Sequence, residues 1–477
     1  MKKNARNKLD SGLPSFHERS SRNKKPLVFI LQISALLFCV SIIILSSVLI
    51  IKTLSGKDDI PQKEATLSTN ASATSTHAEN TTPAPSTTME TMPPTPTPKP
   101  ERLSSSPIVE SFFGPLPVAE TPEELKDFEA RAIYIAAAAY VDRSIELTAN
   151  SEINTFVIDL KEYNGIRFDT KNPLALELEA KNPFSDSYDY ISDQYSSYGG
   201  LKGFIDKCHE NGIKVIGRIV CFKDPLLASI YPERSIQDIN GNSLEYVMED
   251  TRPFPSFFAD PYHQENWNYN IDLAIEAVEA GIDEIQFDYI RFPTGDTKSR
   301  EKSYFGEPDT IPTRVEAINR FLQTARIRIQ DEYGIPISAD IFGIAMSSKL
   351  DGNNLGQDWE TLGLTGTNVL APMVYPSHYA LGTILNGQTF DKPDFYPREV
   401  VYNALLLGKP ASEAEGYSKI RPYLQAFNAS WMPEGTWANY DYDMINAQIK
   451  GVYDAGFSEW ILWDPRVQYP SGTYDGA

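Results

Sequence analysis

Four stretches of this chain carry a helical pattern that stops at a glycine and runs straight into an apolar segment. They are GGLKGFIDKCHENG (199–212), NWNYNIDLAIEAVEAG (266–281), TRVEAINRFLQTARIRIQDEYG (313–334) and YDMINAQIKGVYDAG (442–456). Their apolar residues recur at intervals of three and four, the spacing of one buried helix face. Gly212, Gly281, Gly334 and Gly456 stand where a left-handed residue commonly ends a helix. The apolar segments read as strands: RAIYIAAAAY (131–140), TFVIDL (155–160), KVIGRIVCF (214–222), EIQFDYIRF (284–292), PISADIFG (336–343), NVLAPMVY (368–375), IRPYLQAF (420–427) and EWILWDP (459–465). Most are apolar on both faces, as expected of parallel strands covered by helices. Eight such units predict an α/β protein, a (β/α)8 barrel of the TIM type. An open doubly wound sheet is the rival, and it carries a glycine-rich turn after its first strand. Here VDRSIE follows that strand and has no such glycines. Long insertions are expected at 163–198 and 223–266.

The barrel occupies only the C-terminal part. Residues 1–26 are polar and basic, and residues 27–51, LVFILQISALLFCVSIIILSSVLII, hold no charged side chain. That run exceeds the roughly 20 residues needed to cross a bilayer and lacks a small-residue cleavage site after Ile51. The expectation is a single transmembrane anchor with its basic N-terminal tail in the cytoplasm. Residues 52–107, rich in Ser, Thr and Pro, cannot bury enough apolar surface to fold. They are expected to form an extended, disordered stalk. Asn70 and Asn80 open N-x-S/T sequons, which matter only in a glycosylating host. Residues 108–477 then form the folded domain outside the membrane.

Charge and cysteine content exclude several functions. The net charge of −21 is set against a basic N-terminus, so the folded part is strongly acidic. That disfavours nucleic acids and anionic polymers as partners and allows neutral or cationic ones. With 5 His, and no CxxC or HExxH motif, a zinc site is not expected. Cys208 and Cys221 allow one disulfide, with two buried thiols as the stronger reading.

In a barrel of this type the active site lies at the C-terminal ends of the strands. The polar residues there are Asp159, Lys161 and Glu162 on the second strand, and Arg218 on the third. Asp288, Tyr289 and Arg291 end the fourth, and Asp340 is on the fifth. Tyr375 and His378 follow the sixth, Trp431 the seventh, and Trp463 and Asp464 end the eighth. Acids, a few bases and aromatic rings suit carbohydrate chemistry, in which two carboxyl groups flank the scissile bond. Competing structural roles are evident: Asp288 as a partner of Arg291, Asp159 as a partner of Lys161 or Arg218, and Asp464 before Pro465 as a turn residue. On the functional reading the carboxyl pair lies among Asp159, Asp288, Asp340 and Asp464, and Arg291 would keep Asp288 ionised. Asp159, Lys161, Arg218, Tyr289, Arg291, Tyr375, His378, Trp431, Trp463 and Asp464 would bind substrate. No cofactor or metal is required.

DEIQFDYIRFP (283–293), ISADIFG (337–343), APMVYPSHY (371–379) and WILWDP (460–465) together resemble a bacterial family of glycoside hydrolase-like domains, long catalogued without a known function. The resemblance covers about residues 128–467. It implies a TIM barrel distantly similar to α-amylase-like glycosidases, whose nucleophile is an Asp ending strand four and whose acid is a carboxylate ending strand five. By position these are Asp288 and Asp340, although the acid of those enzymes is normally a Glu. The resemblance thus implies a glycoside hydrolase, and the apolar run at 27–51 makes the expectation a membrane-anchored, extracellular one that cleaves a cell-surface or environmental polysaccharide. A barrel of the same origin that binds a surface glycan without cleaving it is the alternative.

Overall fold

The computed structural model describes residues 113–477, apart from 187, 248–250, 252–253, 298, 305–306 and 309. The expected tail, anchor and stalk lie outside the described residues. Among the described residues, no helix is long and apolar enough to cross a membrane.

Eight parallel strands form the frame: β1 Arg131–Ile135, β2 Thr155–Glu162, β3 Lys214–Val220, β4 Glu284–Asp288, β5 Ile337–Phe342, β6 Val369–Met373, β7 Tyr423–Gln425 and β8 Trp460–Trp463. Each pairs with its neighbour in chain order. The ring closes because β1 pairs with both β2 and β8, with Ala132 opposite Thr155 and Arg131 opposite Trp460. The predicted (β/α)8 barrel is therefore the observed one. The helices between strands include α1 Val141–Thr148, α2 Leu201–Glu210, α3 Gln264–Glu279, α4 Ile311–Ala325, α5 Pro397–Ser412 and α6 Tyr442–Asp454, with further short ones at Pro173–Ala180 and Pro225–Ile230 and short helical turns between β5 and β6. Asp441 shows how such a helix starts, its carboxylate accepting from the backbone N–H of Met444 at the head of α6.

Alternation along the strands builds two cores. Ile133, Ile135, Phe156, Ile158, Ile285, Phe287, Ala339, Ile341 and Leu462 face the helices and join one large apolar cluster. Their neighbours Ala132, Tyr134, Val157, Ile216, Ala371, Tyr423 and Ile461 form a second cluster that fills the lumen. The lumen is polar at both ends. At the N-terminal end of the strands, buried Arg421 binds Glu284 (2.7 Å) and Glu459 (2.7 Å). At the other end lies the site described below.

Two strands depart from the expected pattern. The seventh is broken into Lys419–Ile420 and Tyr423–Gln425, because Pro422 between them has no N–H for the ladder. A bulge between Asp159 and Lys161 interrupts the register of β2 against β3. Both Cys208 and Cys221 are free, buried thiols.

Residues 113–126 run down the outside of the barrel as a strap. Phe113 packs on Tyr262 and Trp267 beside the first turn of α3, with ring centroids 5.5 and 4.9 Å away, and Arg320 of α4 donates to the Gly114 carbonyl at 2.6 Å. At the far end the N–H groups of Glu123 and Lys126 donate to the carbonyls of Asp331 and Gly334. The Glu332 carboxylate accepts from the N–H groups of Glu120 and Thr121. Gly334 has φ of 66°, and a Cβ there would stand 2.3 Å from the Glu124 carbonyl oxygen, so the strap needs glycine at this turn.

Candidate active site

The site is built around Arg218. It stands in the middle of β3, where alternation points it into the lumen, and burial leaves its charge no water to lean on. Three carboxylates supply the compensation. Nε and Nη2 donate to Asp288 Oδ2 at 2.9 and 2.6 Å. Nη1 donates to Asp159 Oδ1 at 2.6 Å and also to Glu162. These charge-assisted contacts fix both the guanidinium plane and the carboxylates around it. The hydroxyl of Tyr134 donates to the other oxygen of Asp159. Trp463 stacks on Tyr134 at 3.9 Å, and the guanidinium lies 5.5 Å from the Trp463 ring.

The partner of Asp288 is thus Arg218 and not Arg291, which corrects the sequence expectation. Arg291 sits between the rings of Tyr289 (4.7 Å) and Phe342 (4.6 Å) and donates to the Phe292 carbonyl. Asp288 has a second restraint, since the N–H of Tyr289 donates to its Oδ1 at 2.6 Å. That contact comes with a Tyr289 φ of 51°, the left-handed region that non-glycine residues rarely occupy. Strained backbone of this kind persists where the surrounding structure imposes it, often at functional sites.

Asp340 differs in kind. The ladder pairs Phe287 with Ala339, so Asp288 and Asp340 follow side by side at the ends of neighbouring strands. Asp340 is buried, and its Oδ1 has no hydrogen-bond partner among the described residues. Burial, and then the negative charge of Asp288, hold its carboxyl well above the usual carboxylate range. Burial, and then the charge of Asp340, also push up the Tyr375 and Tyr423 hydroxyls, which marks these rings as its surroundings. One carboxylate is thus fixed by a cation, and in the carboxyl next to it burial and the neighbouring charge favour the protonated form. Burial, then Glu162, push Asp159 up to about 6 against the pull of Arg218.

The raised Asp340 carboxyl has a stability consequence. A carboxyl that binds its proton more tightly when folded favours the fold fully below the unfolded value of about 3.9, and that contribution is lost as pH rises towards the folded value. Asp340→Asn removes this loss. The variant is expected to melt about 1–3 °C above the wild type at pH 9 and level with it at pH 4, as thermal unfolding at the two pH values will show. A gap of equal size at both would refute the charge argument.

The structure gathers Asp159, Arg218, Asp288, Tyr289, Arg291, Asp340, Tyr375 and Trp463 at the C-terminal mouth. Tyr375 leads outward to His378 and, through Phe427, to Trp431. Two residues expected there lie elsewhere. The bulge in β2 turns Lys161 outward, fully buried behind the barrel, where it pairs with Asp224 at 2.9 Å and donates to the Val220 carbonyl. Asp464 is the turn residue of its structural reading: its carboxylate accepts from the N–H groups of Arg466 and Gln468. Tyr134 joins the mouth without being among the expected site residues, although alternation in RAIYI sets it on the face opposite Ile133 and Ile135. Among the described residues no group of three or more His, Cys, Asp or Glu is arranged to hold a metal ion.

A model of the family described as "Putative glycosyl hydrolase domain" matches residues 131–469. No curated protein matches the chain. Among solved structures, a hypothetical protein from Ruminiclostridium thermocellum is 32% identical, with 44% of this chain and 96% of that chain covered and a TM-score of 0.35. An α-galactosidase from Thermus thermophilus is 12% identical, with 73% and 60% covered and a TM-score of 0.44. The catalytic domain of a β-amylase from Paenibacillus polymyxa is 12% identical, with 74% and 97% covered and a TM-score of 0.42.

Proposed function

This chain belongs to the putative glycosyl hydrolase domain family, and on that premise we propose that it hydrolyses a cell-surface or environmental polysaccharide with Asp288 as nucleophile and Asp340 as general acid. The reading rests on one observation. A carboxylate fixed by Arg218 stands beside a buried carboxyl whose Oδ1 has no hydrogen-bond partner among the described residues. The charge-free run at 27–51 supports a membrane anchor that holds the domain outside the cell.

In the first step Asp288 attacks the anomeric carbon while the bond to the leaving oxygen breaks and Asp340 gives that oxygen its proton. Asp340, now ionised, takes a proton from water. The water oxygen attacks the anomeric carbon and releases Asp288. Neighbouring strands lie roughly 4.8 Å apart. Adjacent strand ends therefore favour the close carboxyl pair of retaining chemistry, about 5–5.5 Å, over the wider pair of inverting chemistry.

The test is hydrolysis by the full-length chain across a panel of polysaccharides and aryl glycosides. Asp340→Asn should lower kcat/KM on natural substrates about 10²–10⁴-fold and kcat/KM on dinitrophenyl glycosides far less, because that ratio reports the first step and their leaving group needs no proton there. The first sugar released should keep its anomeric configuration, read by proton NMR. Equal slowing of both substrate types would remove Asp340 from the acid role.

A further inference from the structure

Resting on that reading, we propose that the substrate is a neutral, polymeric glycan whose chain leaves the catalytic pair along an aromatic track ending on Trp431.

The track starts at Tyr375, in the lumen beside Asp340. Its ring meets Phe427 edge-on, with centroids 5.6 Å apart, and Phe427 stacks on Trp431 at 5.6 Å with the planes tilted by 30°. Tyr375 also meets the exposed His378 ring edge-on at 4.9 Å. Tyr375 and Phe427 are buried, but Trp431 is 52% exposed. The series therefore climbs from the catalytic end of the lumen to the surface without a break.

An exposed tryptophan ring costs apolar hydration unless something covers it. The loop that carries this one is also held firmly. Asn428 donates to Asn439 at 2.8 Å and accepts from the N–H of Tyr440 at 2.7 Å, which closes the loop at its base. Asp394 accepts from the N–H of Ala438 (2.7 Å) and from the Gln425 amide (3.0 Å), tying the loop to the end of β7. The fold thus presents a preorganised flat ring where a flexible polar loop would serve solubility better. Rigid placement of an aromatic anchor lowers the cost of binding.

The chemistry of the track selects its occupant. Pyranose rings offer C–H faces that lie on aromatic faces, and their hydroxyls reach outward to donors such as His378. Tyr375, Phe427 and Trp431 bring no formal charge, so a charged sugar would lose hydration there without gaining a partner. Trp431, two ring contacts out from Tyr375, offers its exposed face to a sugar unit beyond the catalytic pair, which a single small glycoside does not provide. The continuity with the catalytic pair commits the surface to the substrate's own chain.

Binding is measured apart from turnover, in the full-length chain carrying Asp288→Asn. Affinity electrophoresis is run in gels containing soluble starch, hydroxyethyl cellulose, galactomannan or glycol chitin, with polygalacturonate as the anionic control. Retardation is expected in at least one neutral gel and not in polygalacturonate. Adding Trp431→Ala should weaken the retarding affinity about ten-fold, and Trp431→Phe should retain most of it. No retardation in any neutral gel, equal retardation by Trp431→Ala, or retardation by polygalacturonate alone would overturn the inference. Retention of glycan by a chain whose wild type hydrolyses nothing would instead sink the hydrolase reading and leave the track intact.

Discussion

Asp288→Asn is expected to lower hydrolysis by a thousand-fold or more, in the range seen when a covalent nucleophile is removed. The fold should survive. Asparagine keeps one oxygen that can accept from Arg218, as Oδ2 does, and gives up only the Oδ1 acceptor of the Tyr289 N–H. Lost is the charge that attacks the anomeric carbon. Initial rates on the best substrate of the panel, with circular dichroism and thermal melting of the same preparation, check both halves. A variant within ten-fold of wild type would show that the nucleophile lies elsewhere.

The second large effect belongs to Arg218→Met. Methionine fills much of the same volume but leaves Asp159, Glu162 and Asp288 facing one another without a cation. Removing one partner from a buried ionic cluster costs about 3–5 kcal/mol, and activity should fall with it because Asp288 loses its orientation. The cost should depend on pH. Acid protonates the stranded carboxylates and relieves their repulsion, so the stability gap to wild type should shrink as pH falls from 7.5 to 5. Urea unfolding at the two values measures it. An unchanged gap would mean that Arg218 acts through packing alone.

The barrel was legible because its signals are local. Glycine-ended helices and runs apolar on both faces each reflect a few consecutive residues, and all eight strands appear where those runs stand. With α1, α5 is a helix that the same reasoning passes over. It carries Gly408 and Pro410 near its end, and both blur a helical pattern. The seventh strand shows the converse, an apolar run that looks continuous until Pro422 breaks its pairing.

The site was legible only as a set of positions. Parity along β4 brought Asp288 to the mouth, but its partner is fixed by barrel closure. The ladder places Val220 of β3 opposite Asp288, so Arg218 two residues earlier reaches it, while Arg291, three residues away in sequence, does not. Lys161 illustrates a different limit. It shares parity with Asp159 and would face the lumen on a regular strand, yet one bulge turns it out and leaves Glu162 to meet Arg218. No local pattern announces such a bulge. Nor does the sequence show that Glu284, Arg421 and Glu459, far apart along the chain, close the opposite end of the lumen.

The strap at 113–126 can also be viewed as a mechanical element. A domain held from its N-terminal side would be loaded first at Phe113, near the head of α3. The strap then passes that load along the flank, through the Gly114 carbonyl, the Glu332 carboxylate and the Asp331–Gly334 turn, before it reaches β1. Force would be spent on side-chain and loop contacts in series, and the ladder that aligns Asp288 with Asp340 would be the last part to feel tension.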